Sequence, residues 1–229
     1  MPDPTNSPNF GTDSPNAGAD VLKTGTTTVA LTAADGVVLA ADQRASLGGR
    51  LVSSKDMQKV EQVHPTAALT LSGAVGELQE YVRQLRSKVD LYKTRRGNPP
   101  SMHATATFAG NLLRHGPYRA AQLTLGGVDS DGQQVYSFDA GGGVTESPYA
   151  AGGSGMQLAY GVLEREFDAE MTIEEARVVA ARAIESASER DTASGNGLTL
   201  AEVTADGVEL DSYEDPASVA GDDSIGEVA

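Results

Sequence analysis

The stretch TGTTTVALTAADGVVLAADQRAS (residues 24–46) decides the fold. Thr27–Ala33 and Val37–Ala41 are strand-like runs with Asp35-Gly36 between them. An Asp-Gly pair suits the positive φ angles of a tight hairpin turn, so two antiparallel strands are expected here. The device recurs at Asp131-Gly132, between Gln122–Val128 and Gln134–Phe138, and at Asp206-Gly207, between Leu198–Val203 and Val208–Leu210. Ala67–Leu71 is a further short apolar strand candidate.

Helical periodicity fills the intervals. Leu78, Tyr81, Val82, Leu85, Val89 and Tyr92 follow the spacing of one helix face. This helix ends near Gly97 and Pro99-Pro100. Ser101 can cap a second helix, which Gly116-Pro117 stops. A third is expected from about Met156 to Phe167. The fourth opens on Thr172-x-x-Glu175, a capping box, and continues through Val178, Val179, Ala183, Ile184 and Ala187. Hairpins rather than crossovers join the strands. The expected class is therefore α+β, with two sheets packed together and helices outside them, not a doubly wound parallel sheet.

Composition narrows the chemistry. The 229 residues suffice for one large domain, and no linker-like stretch interrupts the middle. Cysteine is absent, which excludes disulfides, thiolate metal sites and cysteine nucleophiles. The net charge of −15 argues against a nucleic-acid partner, and no run is long and apolar enough for a membrane partner. Lysine is scarce (Lys23, Lys55, Lys59, Lys88 and Lys93), and the acidic balance suits a protein kept soluble in high salt. With no secretory signal evident, the expected localisation is cytoplasmic. His64, His103 and His115 form no His-Glu-x-x-His motif, and no metal or cofactor is expected. P-loop, dinucleotide and Gly-x-Ser-x-Gly motifs are also missing.

What remains is the threonine run. Residues 1–25 are rich in Pro, Asn, Asp, Gly and Ser, with only Phe10, Val21 and Leu22 as sizeable hydrophobes, and read as a disordered leader. Residues 214–229 read as an acidic, flexible tail. The folded domain is thus expected over residues 26–213. Threonines opening a strand are ordinary in themselves. These, however, stand where leader meets domain. A cut between Gly25 and Thr26 would free an α-amine with a reference pKa of about 7.7–8.0, able to act as general base toward the Thr26 hydroxyl. Loss of the leader, with Asp3, Asp13 and Asp20 against Lys23, would take the side-chain charge from −15 to −13.

Gly25-Thr26-Thr27-Thr28-Val29 resembles the processing site of proteasome β subunits of the archaeal type. The resemblance extends through Val37–Ser46, the turn Leu71-Ser72-Gly73-Ala74-Val75-Gly76, Gly153-Ser154-Gly155 with Tyr160–Glu164, and Arg190-Asp191-Thr192-Ala193-Ser194-Gly195. These motifs keep the family's order and span nearly the whole folded body. Ala30 stands where the family pattern has glycine. The resemblance implies an N-terminal-nucleophile hydrolase fold, a four-layer sandwich of two antiparallel sheets between helix layers, and a threonine endopeptidase.

The resemblance also implies roles. Thr26 is the nucleophile, Asp42 orients the catalytic lysine and Lys59 is that lysine. The interval into Lys59 is one residue longer than in the family pattern, an insertion the Gly48-Gly49 turn can absorb; Lys55 is the alternative. Asp191, Ser154 and Ser194 hold the Thr26 amine and hydroxyl, and the Gly73 N–H stabilises the oxyanion. Ala45, Leu71 and Val75 line the substrate pocket, with Glu61 and Gln79 near it. The implied partners are other β subunits in a seven-membered ring, flanking α-subunit rings, a regulatory ATPase and unfolded protein substrates.

Overall fold

The two faces of the first hairpin explain the layering. A computed structural model describes residues 25–47, 51–118 and 120–221. The chain runs β1 (Thr27–Thr32), β2 (Val37–Asp42), β3 (Ala45–Leu47), β4 (Leu51–Ser54), β5 (Val60–His64), β6 (Ala67–Ser72), α1 (Val75–Arg96) and α2 (Met102–His115). It continues through β7 (Gln122–Asp129), β8 (Gly132–Phe138), β9 (Val144–Glu146), β10 (Tyr149–Gly153), α3 (Met156–Glu166), α4 (Ile173–Ser188), β11 (Leu198–Thr204), β12 (Gly207–Tyr213) and α5 (Ala217–Gly221). Alternate residues of a strand point to opposite faces. On β1 and β2, Val29, Leu31, Val38 and Ala40 pack with Val162, Leu163, Val179 and Ile184 of α3 and α4. Their neighbours Ala30, Val37, Leu39 and Ala41 pack the other way, against Val60, Ala68, Val128 and Val135. Strands apolar on both faces are buried on both, and this hairpin lies in the middle of the molecule.

One antiparallel sheet has the order β10-β1-β2-β11-β12 and the other β5-β6-β7-β8-β9, with β3 and β4 as a separate hairpin. The second sheet buries Leu69, Leu71, Leu123, Leu125 and Tyr136 against Tyr81 and Leu85 of α1 and Met102 and Leu113 of α2. The result is the expected four-layer α+β sandwich, helices–sheet–sheet–helices. The layer between the sheets is thin and made of small side chains. A Cβ at Gly126 would meet Val37 Cγ1 at 2.8 Å, so glycine lets the two sheets approach there.

The helices start and stop for local reasons. Ser101 accepts the Ala104 N–H, and Thr172 and Glu175 close both halves of the capping box. Gly97 ends α1 with φ 83°. The Asp-Gly turns differ among themselves. Gly132 and Gly207 have φ of 106° and 153°, as hairpin chemistry requires. Gly36 is not among the positive-φ glycines; a Cβ there would strike Ile173 Cδ1 and the Val203 carbonyl, each at 2.5 Å. Asp35 serves the next layer, its carboxylate accepting the Ile173 N–H at the start of α4.

One strand had no sequence signal, and one expectation needs correction. β10 includes Gly152-Gly153, which has little strand propensity, yet it pairs with β1 from Thr27↔Gly153 to Leu31↔Tyr149. The stretch from residue 214, read as a loose tail, contains α5, and Val219 is buried in the core against the α3–α4 layer. Apart from Gly25 the expected leader lies outside the described residues, as do residues 222–229 of the expected tail and the Gly48-Gly49 turn. Among the described residues no helix is long and apolar enough to cross a membrane.

Candidate active site

Thr26 sits immediately before β1 and is buried. Its main chain is tied to the turn before α3 and, through Ser154, to the loop after α4. The Thr26 N–H donates to Ser154 Oγ at 3.2 Å, and Ser154 Oγ donates to Asp191 Oδ2 at 2.5 Å. Ser194 Oγ donates to the same carboxylate oxygen at 2.7 Å. Because Ser194 spends its one hydrogen there, its contact with Thr27 Oγ1 at 2.7 Å has the threonine as donor. The Thr26 hydroxyl donates to the Gly25 carbonyl at 2.6 Å. It therefore lies against the peptide bond that joins residues 25 and 26.

A second network lies beneath. Asp42, at the end of β2, has no exposed surface. Its Oδ1 accepts from Lys59 Nζ at 2.8 Å and from the Thr27 N–H at 2.9 Å. Its Oδ2 accepts from the N–H groups of Gly195 at 2.9 Å and Arg44 at 3.1 Å. Lys59 Nζ also donates to the Arg44 carbonyl at 2.6 Å. Burial pushes the Lys59 amine below its ordinary value, against the attraction of Asp42. Burial likewise pushes the Asp42 carboxyl up, opposed by the Lys59 ammonium and by the N–H donors of Thr27 and Gly195. Thr27 and Gly195 join the two networks: Thr27 bonds both Asp42 and Ser194, and Gly195 follows Ser194.

Thr26 and Lys59 both line a cavity of about 430 Å³. Gly73, Ala45, Leu71, Val75, Glu61 and Gln79 line it too. Gly73 adopts φ 144°, and a Cβ there would meet the Ala120 carbonyl at 3.1 Å, so backbone conformation and close approach both call for glycine. Apart from the alternative Lys55, every residue named for the site is in the cavity wall or in the two networks behind it. Lys55 is exposed and is not part of the cavity wall, whereas Lys59 is buried within it. Thr26 and Lys59 make no direct hydrogen bond among the described residues; the lysine's bonds run to Asp42 and Arg44.

Sequence reasoning missed Arg44. Its carbonyl accepts from Lys59, while its guanidinium donates to the Thr192 carbonyl and to Asn196 Oδ1, each at 2.8 Å. It clamps the loop carrying Ser194 and Gly195, where Asn196 turns through φ 64°. A backbone carbonyl leaves no residue-type signal, and a surface-seeking Arg gives no hint of a loop partner about 150 positions on. Met57 and Leu47 of the cavity wall were also unforeseen.

Comparison with known proteins gives the family. Residues 22–203 match the family model described as proteasome subunit. The chain is 57% identical over 215 residues to the proteasome subunit beta 2 of Haloterrigena turkmenica, covering 94% of this chain and 88% of the relative. It is 57% identical over 195 residues to the proteasome subunit beta of Natrialba magadii, covering 85% and 80%. The proteasome subunit beta 2 of Haloarcula marismortui is 53% identical over 214 residues, with 93% and 92% covered. These relatives come from halophilic archaea, in keeping with the acidic, lysine-poor composition.

Proposed function

Because the chain belongs to the proteasome subunit family, we propose that it is a catalytic β subunit, a threonine endopeptidase whose nucleophile Thr26 is released by cleavage of the Gly25–Thr26 bond. The observation that carries this reading is the Thr26 hydroxyl, 2.6 Å from the Gly25 carbonyl oxygen and backed by the Ser154–Asp191 and Asp42–Lys59 networks. The hydroxyl oxygen attacks the Gly25 carbonyl carbon, the C–N bond breaks, and the nitrogen takes up the hydroxyl proton. Water then hydrolyses the ester, releasing residues 1–25 as an acid and leaving Thr26 with a free hydroxyl and α-amine.

The same groups serve substrates. The α-amine, held beside Ser154 and Asp191, takes the hydroxyl proton as Thr26 attacks the scissile carbonyl. The Lys59 ammonium, fixed by Asp42 and the Arg44 carbonyl, favours the alkoxide electrostatically. The Gly73 N–H stabilises the oxyanion. The departing amine takes the proton back, and water resolves the acyl-enzyme. Ala45, Leu71 and Val75 give the cavity apolar walls, so cleavage after Leu, Tyr or Phe is preferred. Burial of such a side chain contributes roughly 25 cal/mol per Å², whereas a charge entering without a partner loses hydration.

Assembly belongs to the same proposal. The subunit joins a seven-membered β ring flanked by α rings, served by a regulatory ATPase that feeds unfolded chains, in the cytoplasm. Exposed Leu47, Leu51 and Val52 on the β3–β4 hairpin beside the cavity support burial against another subunit. The test is Thr26→Ala in the assembled particle. Intact mass should show residues 1–25 retained, with peptide hydrolysis lost. Full activity in an unprocessed particle would overturn the mechanism.

A further inference from the structure

The cavity prefers apolar side chains although four of its lining residues are charged: Lys59, Glu61, Arg83 and Arg86. Each has a partner. Lys59 is neutralised by Asp42 and Arg83 by Glu80, and neither carboxylate lines the cavity. Glu61 and Arg86 differ, because both members of the pair face the cavity. Arg86 Nη2 lies 2.8 Å from Glu61 Oε2, and its Nε donates to the Gln62 carbonyl at 2.7 Å. The guanidinium is therefore fixed from two sides, one on the Glu61 side chain and one on the backbone of β5. The side chains are 42% and 28% exposed, open enough to meet a substrate.

We infer that the Glu61–Arg86 pair is a charge filter: each member cancels the other, and loss of either leaves the cavity selective for the opposite charge. This rests on the cavity being the substrate pocket proposed above. With Arg86 gone, the Glu61 carboxylate faces the cavity without its cation and pairs with an incoming Arg or Lys. With Glu61 gone, the guanidinium, still anchored on the Gln62 carbonyl, accepts a carboxylate from Glu or Asp. Charge-assisted bonds of this kind are the stronger class of hydrogen bond. Partial exposure limits the gain, and salt screens it, so all comparisons belong at one ionic strength.

The experiment uses assembled, processed particles of wild type, Arg86→Gln, Glu61→Gln and the double variant. Three fluorogenic peptides carry Leu, Arg or Glu before the scissile bond. In Arg86→Gln the Arg/Leu ratio of kcat/KM should rise about tenfold, and in Glu61→Gln the Glu/Leu ratio should rise similarly, the size of one charge-assisted contact. The double variant should return both ratios to near wild type. Ratios within twofold of wild type in both single variants overturn the filter. Fluorescence anisotropy of tagged peptides ending in the same three residues reads the cavity without catalysis. Affinity ratios that shift as described in a particle cleaving none of the three substrates support the filter and overturn the peptidase reading. Unshifted affinities in a particle that cleaves the Leu substrate overturn the filter alone.

Discussion

Lys59 and Asp42 form an ion pair with side chains 6% and 0% exposed, and such a pair is hazardous to break. Removing one partner strands a buried charge, at a cost of about 3–5 kcal/mol. Three N–H donors, from Thr27, Arg44 and Gly195, would still hold the Asp42 carboxylate, so the lower end of that range is expected for Lys59→Met. That variant should lose peptide hydrolysis through kcat and also melt earlier. Lys59→Met combined with Asp42→Asn removes the stranded charge. It should recover part of the melting temperature and none of the activity, because the Asn amide nitrogen must face the N–H of Thr27 or those of Gly195 and Arg44. Parallel recovery of both in thermal melts and kinetics would mean that Lys59 acts by packing alone. At this scale the family resemblance picked out Thr26, Asp42 and Asp191, whose own side chains make the bonds of the two networks. The sequence was silent where a backbone group makes the bond, as with the Arg44 carbonyl. It was silent too where partners meet from a strand and a helix, as Glu61 and Arg86 do.

Junctions between elements explain which expectations transferred. The helices were legible because caps and periodicity are local: Ser101, Gly97 and the Thr172–Glu175 box act within a turn. β10 was not, because its partner β1 lies more than a hundred residues earlier and its own glycines disfavour a strand. Gly36 shows the same limit in reverse, its Asp-Gly signal hiding a packing role. Gly36→Ala should cost about 1–3 kcal/mol, since the new methyl meets Ile173 and a carbonyl of β11. Gly132→Ala, in open space at φ 106°, should cost about 1–2 kcal/mol, all of it backbone strain. A urea midpoint unmoved by Gly36→Ala would reject the packing account. His64 makes another junction, tying the end of β5 to the residues before α2. Its Nε2–H donates to the Pro100 carbonyl at 3.0 Å, and its Nδ1 accepts the Thr66 N–H at 3.1 Å. Burial lowers its pKa from 6.5, with Asp129 pulling upward and Lys93 downward. The unfolded chain then takes up the proton first, so stability should fall as pH drops below about 6.5 and level off below the folded value. His64→Gln should flatten that dependence in pH-resolved melts; an unchanged slope would point to other groups.

For the whole molecule the governing quantity is the charge of −15. Self-repulsion of that size weakens the folded state unless ions screen it, and the Debye length is about 3 Å in 1 M salt. The repulsion has a local focus on β11 and β12. Glu202 and Glu209 stand directly opposite each other in that pair, with Asp211 two residues further along. Arg177 reaches Glu202 at 2.9 Å, yet burial keeps the Glu202 pKa raised, and Asp211 and Glu209 add to the rise. Like charges facing across a strand pair destabilise by roughly 0.2–1 kcal/mol. Glu209→Gln removes the opposing carboxylate and leaves the Arg177 pair intact. It should therefore raise the melting temperature in 0.2 M KCl and have a much smaller effect in 2 M KCl, where the lost repulsion was already screened. Wild type itself should melt higher in the stronger salt. The measurement is a thermal melt of both proteins across a KCl series, with assembly state held constant. A gain in Glu209→Gln that is independent of salt would show that the side chain acts through strand propensity, and that the acidic surface is not what couples this fold to its ionic medium.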